Sequence, residues 1–127
     1  MSLSDTELVQ FAESIIKDVD VKHNLEQQEG KTQVSRAVDA ALAAEAPCVF
    51  RNWLAYQAKR SASRSVWQAR GEKSLYEWVN VILAQIEEKA GQGQGGDREI
   101  MKTLARFLGF LRRAMVAELG EKEEVGA

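Results

Sequence analysis

IMKTLARFLGFLRRAMVAEL, residues 100–119, decides the fold. At about 100° per residue, Ile100, Leu104, Phe107, Leu108, Leu111, Met115 and Leu119 fall within a stripe of about 120°, the width of helix face that a core covers. Lys102, Arg106 and Arg113 fall together on the opposite side, along a row of about 16 Å at the helical rise. From Met101 to Ala117 the chain carries no acid. A helix with one dry face needs partners of the same kind, and the remainder of the chain offers them.

Ser4-Asp5-Thr6-Glu7 has capping-box spacing, so a helix starts there, with Leu8, Phe11, Ile15 and Val19, or Ala12 and Ile16 beside them, as its stripe. The polar run that follows predicts a loop over 21–31. Val34, Val38, Ala41 and Leu42 form a thin, alanine-rich face on a second helix from Thr32 to Glu45. Pro47, the only proline, suits the first turn of a third, on which Phe50, Trp53, Leu54, Ala58 and Ala62 share a side and Cys48 reads as a small buried hydrophobe. Gly71 ends that segment. Ser74-Leu75-Tyr76-Glu77 repeats the capping box ahead of Trp78, Val79, Ile82, Leu83 and Ile86. Gly and Gln alternate over 91–96, a connector with nothing to bury, and Asp97 is placed to cap the last helix. The expectation is one all-α domain over 1–127, a bundle of four to six helices with no sheet and a frayed tail at 121–127.

Composition removes several classes of function. One cysteine forms no internal disulfide, and without a second cysteine or a patterned histidine no zinc site is expected. The only histidine, His23, lies in the polar run with no nucleophile patterned beside it, and adjacent acids such as Glu87-Glu88 point apart on a helix. The glycine-rich run has neither the lysine nor the preceding strand of a phosphate-binding loop. We therefore expect no enzyme active site, no metal and no cofactor. No stretch reaches the roughly 20 apolar residues of a membrane span and the amino terminus lacks a signal pattern, which reads as a soluble, cytoplasmic protein.

The charge is segregated. The net charge is −5 over 1–30, +5 over 31–75 and −2 over 76–127. Between 51 and 73, six cations face a single acid, Glu72, with serines 61, 63 and 65 interleaved. Lys and Arg bring charge and counterion release to a phosphate backbone, and hydroxyls add short hydrogen bonds. Cations opposite an apolar stripe also keep a helix soluble, but a merely solubilising surface mixes the signs. The candidate polyanion-binding residues are Lys59, Arg60, Arg64, Arg70, Lys102, Arg106 and Arg113.

AAEAPCVFRNWLAYQAKR, residues 43–60, sets Pro47, Phe50, Asn52, Leu54, Tyr56 and Lys59 in an order that resembles the small all-helical subunit of the Cmr (III-B) type of CRISPR effector complex; LARFLGFLRRAMVAELG, 104–120, resembles that family's terminal helix. Thr32-Gln33 with Arg36, and Leu54 to Arg60, are similar to elements of the sibling Csm (III-A) subunit, which stays as the second alignment. Either resemblance implies a non-catalytic subunit in antiviral defence. Its copies stack along a ribonucleoprotein beside larger subunits, contact guide and target RNA through the backbone, and self-associate weakly or not at all in isolation. Only Lys59 among the candidates also rests on a family position. The alternative from a different class is a helical adaptor or inhibitor whose basic strip docks on an acidic protein.

Overall fold

The computed structural model describes residues 3–19, 27–60, 63–90 and 96–119. Among them are five helices of 13 residues or more and one single-turn helix, and no strand; Arg70 and Ser74 pair in an isolated bridge.

Helix α1, Asp5–Asp18, begins at the expected box: Ser4 Oγ accepts from the Glu7 amide at 3.2 Å while Glu7 Oε1 accepts from the Ser4 amide at 2.9 Å. Two of the amides that a helix start leaves open are thereby satisfied by four consecutive residues. Leu8, Ala12, Ile15 and Ile16 are buried, Val19 closes the helix in the core, and Phe11 sits half-buried at the edge.

Helix α2, Gln27–Ala43, starts within the segment expected as loop. Residues 21–26 lie outside the described residues, but 27–31 are helical. Gln and Glu are good helix formers, and the face here buries polar side chains, Lys31 and Gln33, beside Val34. A hydrophobic stripe therefore could not announce the turn. The face is also rotated from the expected one. Val34, Ala37 and Ala41 are the fully buried row, Val38 is half-buried, and Leu42 is exposed. Alanine at 37 and 41 lets the backbones of α2 and the last helix approach closely, a gain that a leucine on the same face would cancel.

Helix α3, Pro47–Lys59, has Pro47 in its first turn behind an extended Ala46. Phe50, Leu54, Gln57 and Ala58 are buried; Trp53 is half-buried between the rings of Phe50 and Trp67, with centroids at 5.7 and 6.5 Å. Cys48, expected in the core, is exposed, because two residues from Phe50 is about 200° round the helix. Ala62 lies outside the described residues. Helix α4, Arg64–Trp67, is a single turn that seats Trp67 fully inside.

Before helix α5, Leu75–Ala90, Ser74 and Glu77 repeat the box: the Ser74 amide donates to Glu77 Oε1 at 2.8 Å and the Glu77 amide to Ser74 Oγ at 3.1 Å. The same loop is tied to the end of α1. Asp18 accepts from the Glu72 amide at 2.9 Å and from the Trp78 indole at 2.7 Å. A Cβ at Gly71 would stand 1.9 Å from the Asp18 carbonyl oxygen, so only glycine permits this approach. Gly71 is thus a contact point and not merely the end of a segment.

Helix α6, Gly96–Leu119, is central: it packs on α2, α1 and α5. Ile100, Leu104, Phe107, Leu108, Leu111 and Met115 are buried as the stripe requires, and Met101, Thr103 and Ala105 are buried as well because more than one neighbour covers the helix. Asp97, expected as the cap, falls in the first turn behind Gly96, whose φ of 56° is left-handed. Residues 91–95 and 120–127 are outside the described residues, as is the Leu119 side chain. No described helix is long and apolar enough to cross a membrane.

Candidate nucleic-acid interface

The seven basic candidates occupy three places. Lys59 ends α3, Arg60 is its cap and Arg64 opens α4; all three are exposed, and no ion pair reaches them among the described residues. Their corner is built from inside. The Arg60 carbonyl accepts from the amides of Ser63 and Arg64 at 3.1 and 2.8 Å, which turns the chain. Ser63, fully buried, donates to the Gln57 carbonyl at 2.7 Å and stands 2.9 Å from Gln57 Oε1; Gln68 Nε2 donates to the Ala58 carbonyl at 3.0 Å. Polar groups that would cost free energy unpaired are thus consumed in holding the corner, and the cations are left to solvent. Ser63 is therefore not a phosphate donor. Ser61 and the Ser65 side chain are outside the described residues.

Arg70 sits in the loop before α5, where Nη1 meets Glu77 Oε1 at 3.1 Å. The Glu77 carboxyl is held below its ordinary range chiefly by the Ser74 amide, with Arg70 a lesser cause. The adjacent cation, Lys73, lies 4.9 Å from the centre of the Trp78 ring and 3.7 Å from Glu72.

The α6 row is not the acid-free strip expected. Lys102 Nζ lies 3.9 Å from Glu99 Oε2, one turn earlier on the same helix. Arg106 Nε donates to Asp5 Oδ1 at 3.1 Å, a partner that α1 brings from 101 positions away. Arg113 stands over the ring of Phe110 at 5.6 Å. Phe110, which lies off the main stripe, is half-buried against the core. Charge at Lys102 and Arg106 is formally present and already answered.

A further feature joins the corner to the rest of α3. Cys48, Val49, Asn52, Tyr56, Lys59 and Arg60 are exposed and fall within an arc of about 120°, with no acid among them. Val49 and Tyr56 are 47% and 62% exposed, high for residues of their size. In the sequence Asn52 and Tyr56 stand out only through the family resemblance; their common exposure with Lys59 follows from the burial of Phe50, Leu54 and Gln57 on the other side. Among the described residues no cluster of His, Cys, Asp or Glu is arranged to hold a metal ion. Compared with protein-family models, curated proteins and solved structures, the chain matches none.

Proposed function

We propose that the protein is a non-catalytic, cytoplasmic subunit of an RNA-guided effector complex, contacting guide or target RNA through its backbone in the manner of the type III CRISPR small subunits its sequence resembles. The observation that carries this reading is the corner at Lys59, Arg60 and Arg64: three exposed cations within six positions, free of ion pairs among the described residues, the first two at the end of the acid-free face of α3 and the third at the start of α4. A phosphate backbone offers a charge at each nucleotide, and neutralising it releases counterions, so such a corner favours RNA without reading its sequence. Arg70, Lys102, Arg106 and Arg113 are secondary contacts in this reading, since the first three must first leave a carboxylate and Arg113 lies on a different helix from the corner. Partner subunits would stack against the remaining faces.

The test is a salt titration of RNA affinity. The full chain and its triple variant Lys59→Glu, Arg60→Glu, Arg64→Glu are titrated with labelled single-stranded RNA between about 50 and 200 mM salt. Each lost phosphate contact flattens the slope of log affinity against log salt by about 0.7, so the variant should lose about 2. Superimposable curves would falsify the RNA role and favour the adaptor reading, in which the strip meets an acidic protein.

A further inference from the structure

We infer that Tyr56 is a stacking platform for the bases of single-stranded RNA, with Asn52, Lys59 and Arg60 holding the strand on either side of it. The inference rests on the RNA-contacting role proposed above and adds the bases to what that site takes.

The aromatic inventory points to it. The chain has four Phe, three Trp and two Tyr. Eight of these nine are buried or packed against the core; Tyr56 alone stands out in solvent, 62% exposed. Folding therefore does not account for this ring. Its surroundings are specific: Asn52 lies four positions before it, and Lys59 and Arg60 three and four after, which are the positions that adjoin a side chain on a helix surface. A flat apolar ring is thus followed, about 5.4 Å along the axis, by two cations. Nearby acid would repel a phosphate, and the exposed arc has none.

Single-stranded RNA matches both halves of that surface. Every base has a π-face that stacks on an aromatic ring, and every nucleotide adds a phosphate for the cations, whereas a duplex keeps its base faces covered by neighbouring pairs. The ring is also presented on a firm support. Phe50 and Leu54 anchor α3 in the core, Trp53 packs edge-on to Trp67, and Arg51 is clasped by Glu87 of α5. A platform fixed before binding loses little freedom on contact.

The experiment uses the full chain with three probes: single-stranded oligo(A), the same strand with abasic sites in place of its bases, and duplex RNA. Tyr56→Ala should weaken oligo(A) binding by about 5- to 150-fold, the range for one stacked base, without changing the salt slope. Tyr56→Phe should bind as the wild type does, because the ring and not the hydroxyl is used. Binding of the abasic strand and of duplex should be the same for wild type and Tyr56→Ala. Equal weakening of the abasic strand, or no weakening of oligo(A) while Lys59→Glu/Arg60→Glu still reduces affinity, overturns the stacking role and leaves the backbone reading standing. If neither variant alters affinity for any probe, both fail and the face belongs to a protein partner. Circular dichroism of each variant guards against misfolding, which so exposed a side chain should not cause.

Discussion

Two stretches of this chain carry the same kind of charge, and the fold treats them differently. At the α3–α4 corner, buried Ser63 and Gln57 hold the turn and leave Lys59, Arg60 and Arg64 in solvent. On α6, Arg106 is bound by Asp5 and Lys102 lies near Glu99. The difference comes from position. Asp5 reaches Arg106 from α1, which packs on α6, and Glu99 lies one turn from Lys102 on α6 itself, whereas among the described residues no carboxylate pairs with the corner cations. In the reading proposed above, available charge and not formal charge marks the RNA-contacting surface.

The largest test of that division is on α6 itself. Leu104 is fully buried where α6 meets its neighbours, so Leu104→Ala should cost about 2–5 kcal/mol, from lost burial and the cavity left behind. Reversing the corner cations should change stability by about 0.5 kcal/mol at most. Thermal unfolding of both variants measures the contrast; a corner variant that melts as early as Leu104→Ala would mean that those cations serve the fold.

A smaller effect is expected at the tie between α1 and α5. Gly71→Ala forces backbone against backbone at Asp18 and should cost about 1–3 kcal/mol. Asp18 adds a pH signature. The Glu72 amide first, and then the Trp78 indole, hold its carboxyl below the usual carboxylate value, against an opposing effect of burial. A depressed folded-state pKa contributes stability that is present above the unfolded value of about 3.9 and is lost as pH falls through the lower folded value. Asp18→Asn should therefore be less stable than wild type at neutral pH, and the gap should close below about pH 4. A gap that stays constant from neutral to acid pH would show that the charge on Asp18 contributes nothing to the tie.

What the sequence made legible was local or periodic. Both capping boxes span four residues and formed as read; the α6 stripe needed only the helical period. The start of α2 was hidden because its inner face uses Lys31 and Gln33 as well as apolar side chains. Leu42 is exposed where the hydrophobic pattern expects it buried, because hydrophobicity ranks leucine above alanine while close helix packing prefers the smaller residue. The same limit applies to the site. Lys59, Arg60 and Arg64 stand out in the sequence by charge, Lys59 also by its place in the family resemblance, and their freedom from acids is a property of neighbours. The pairing of Arg106 with Asp5 spans 101 positions and the Asp18–Glu72 contact 54, so no window of sequence contains either.

The smallest expected effect tests the comparison most closely, because it converts one region into the other. Asp5→Asn removes the carboxylate that answers Arg106 and leaves the arginine exposed on the wet face of α6. The pair is open to solvent on both sides, so its loss should cost no more than about 1 kcal/mol, and a double-mutant cycle with Arg106→Ala should return a coupling of that size. If availability is what separates the two regions, freeing Arg106 should strengthen RNA binding at low salt and steepen the salt dependence by up to about 0.7, one phosphate's worth. That gain must vanish in Asp5→Asn/Arg106→Ala, since removing the acid also reduces negative charge generally. A gain that persists in the double variant would assign the effect to net charge, and would remove Arg106 from the cations that contact RNA individually.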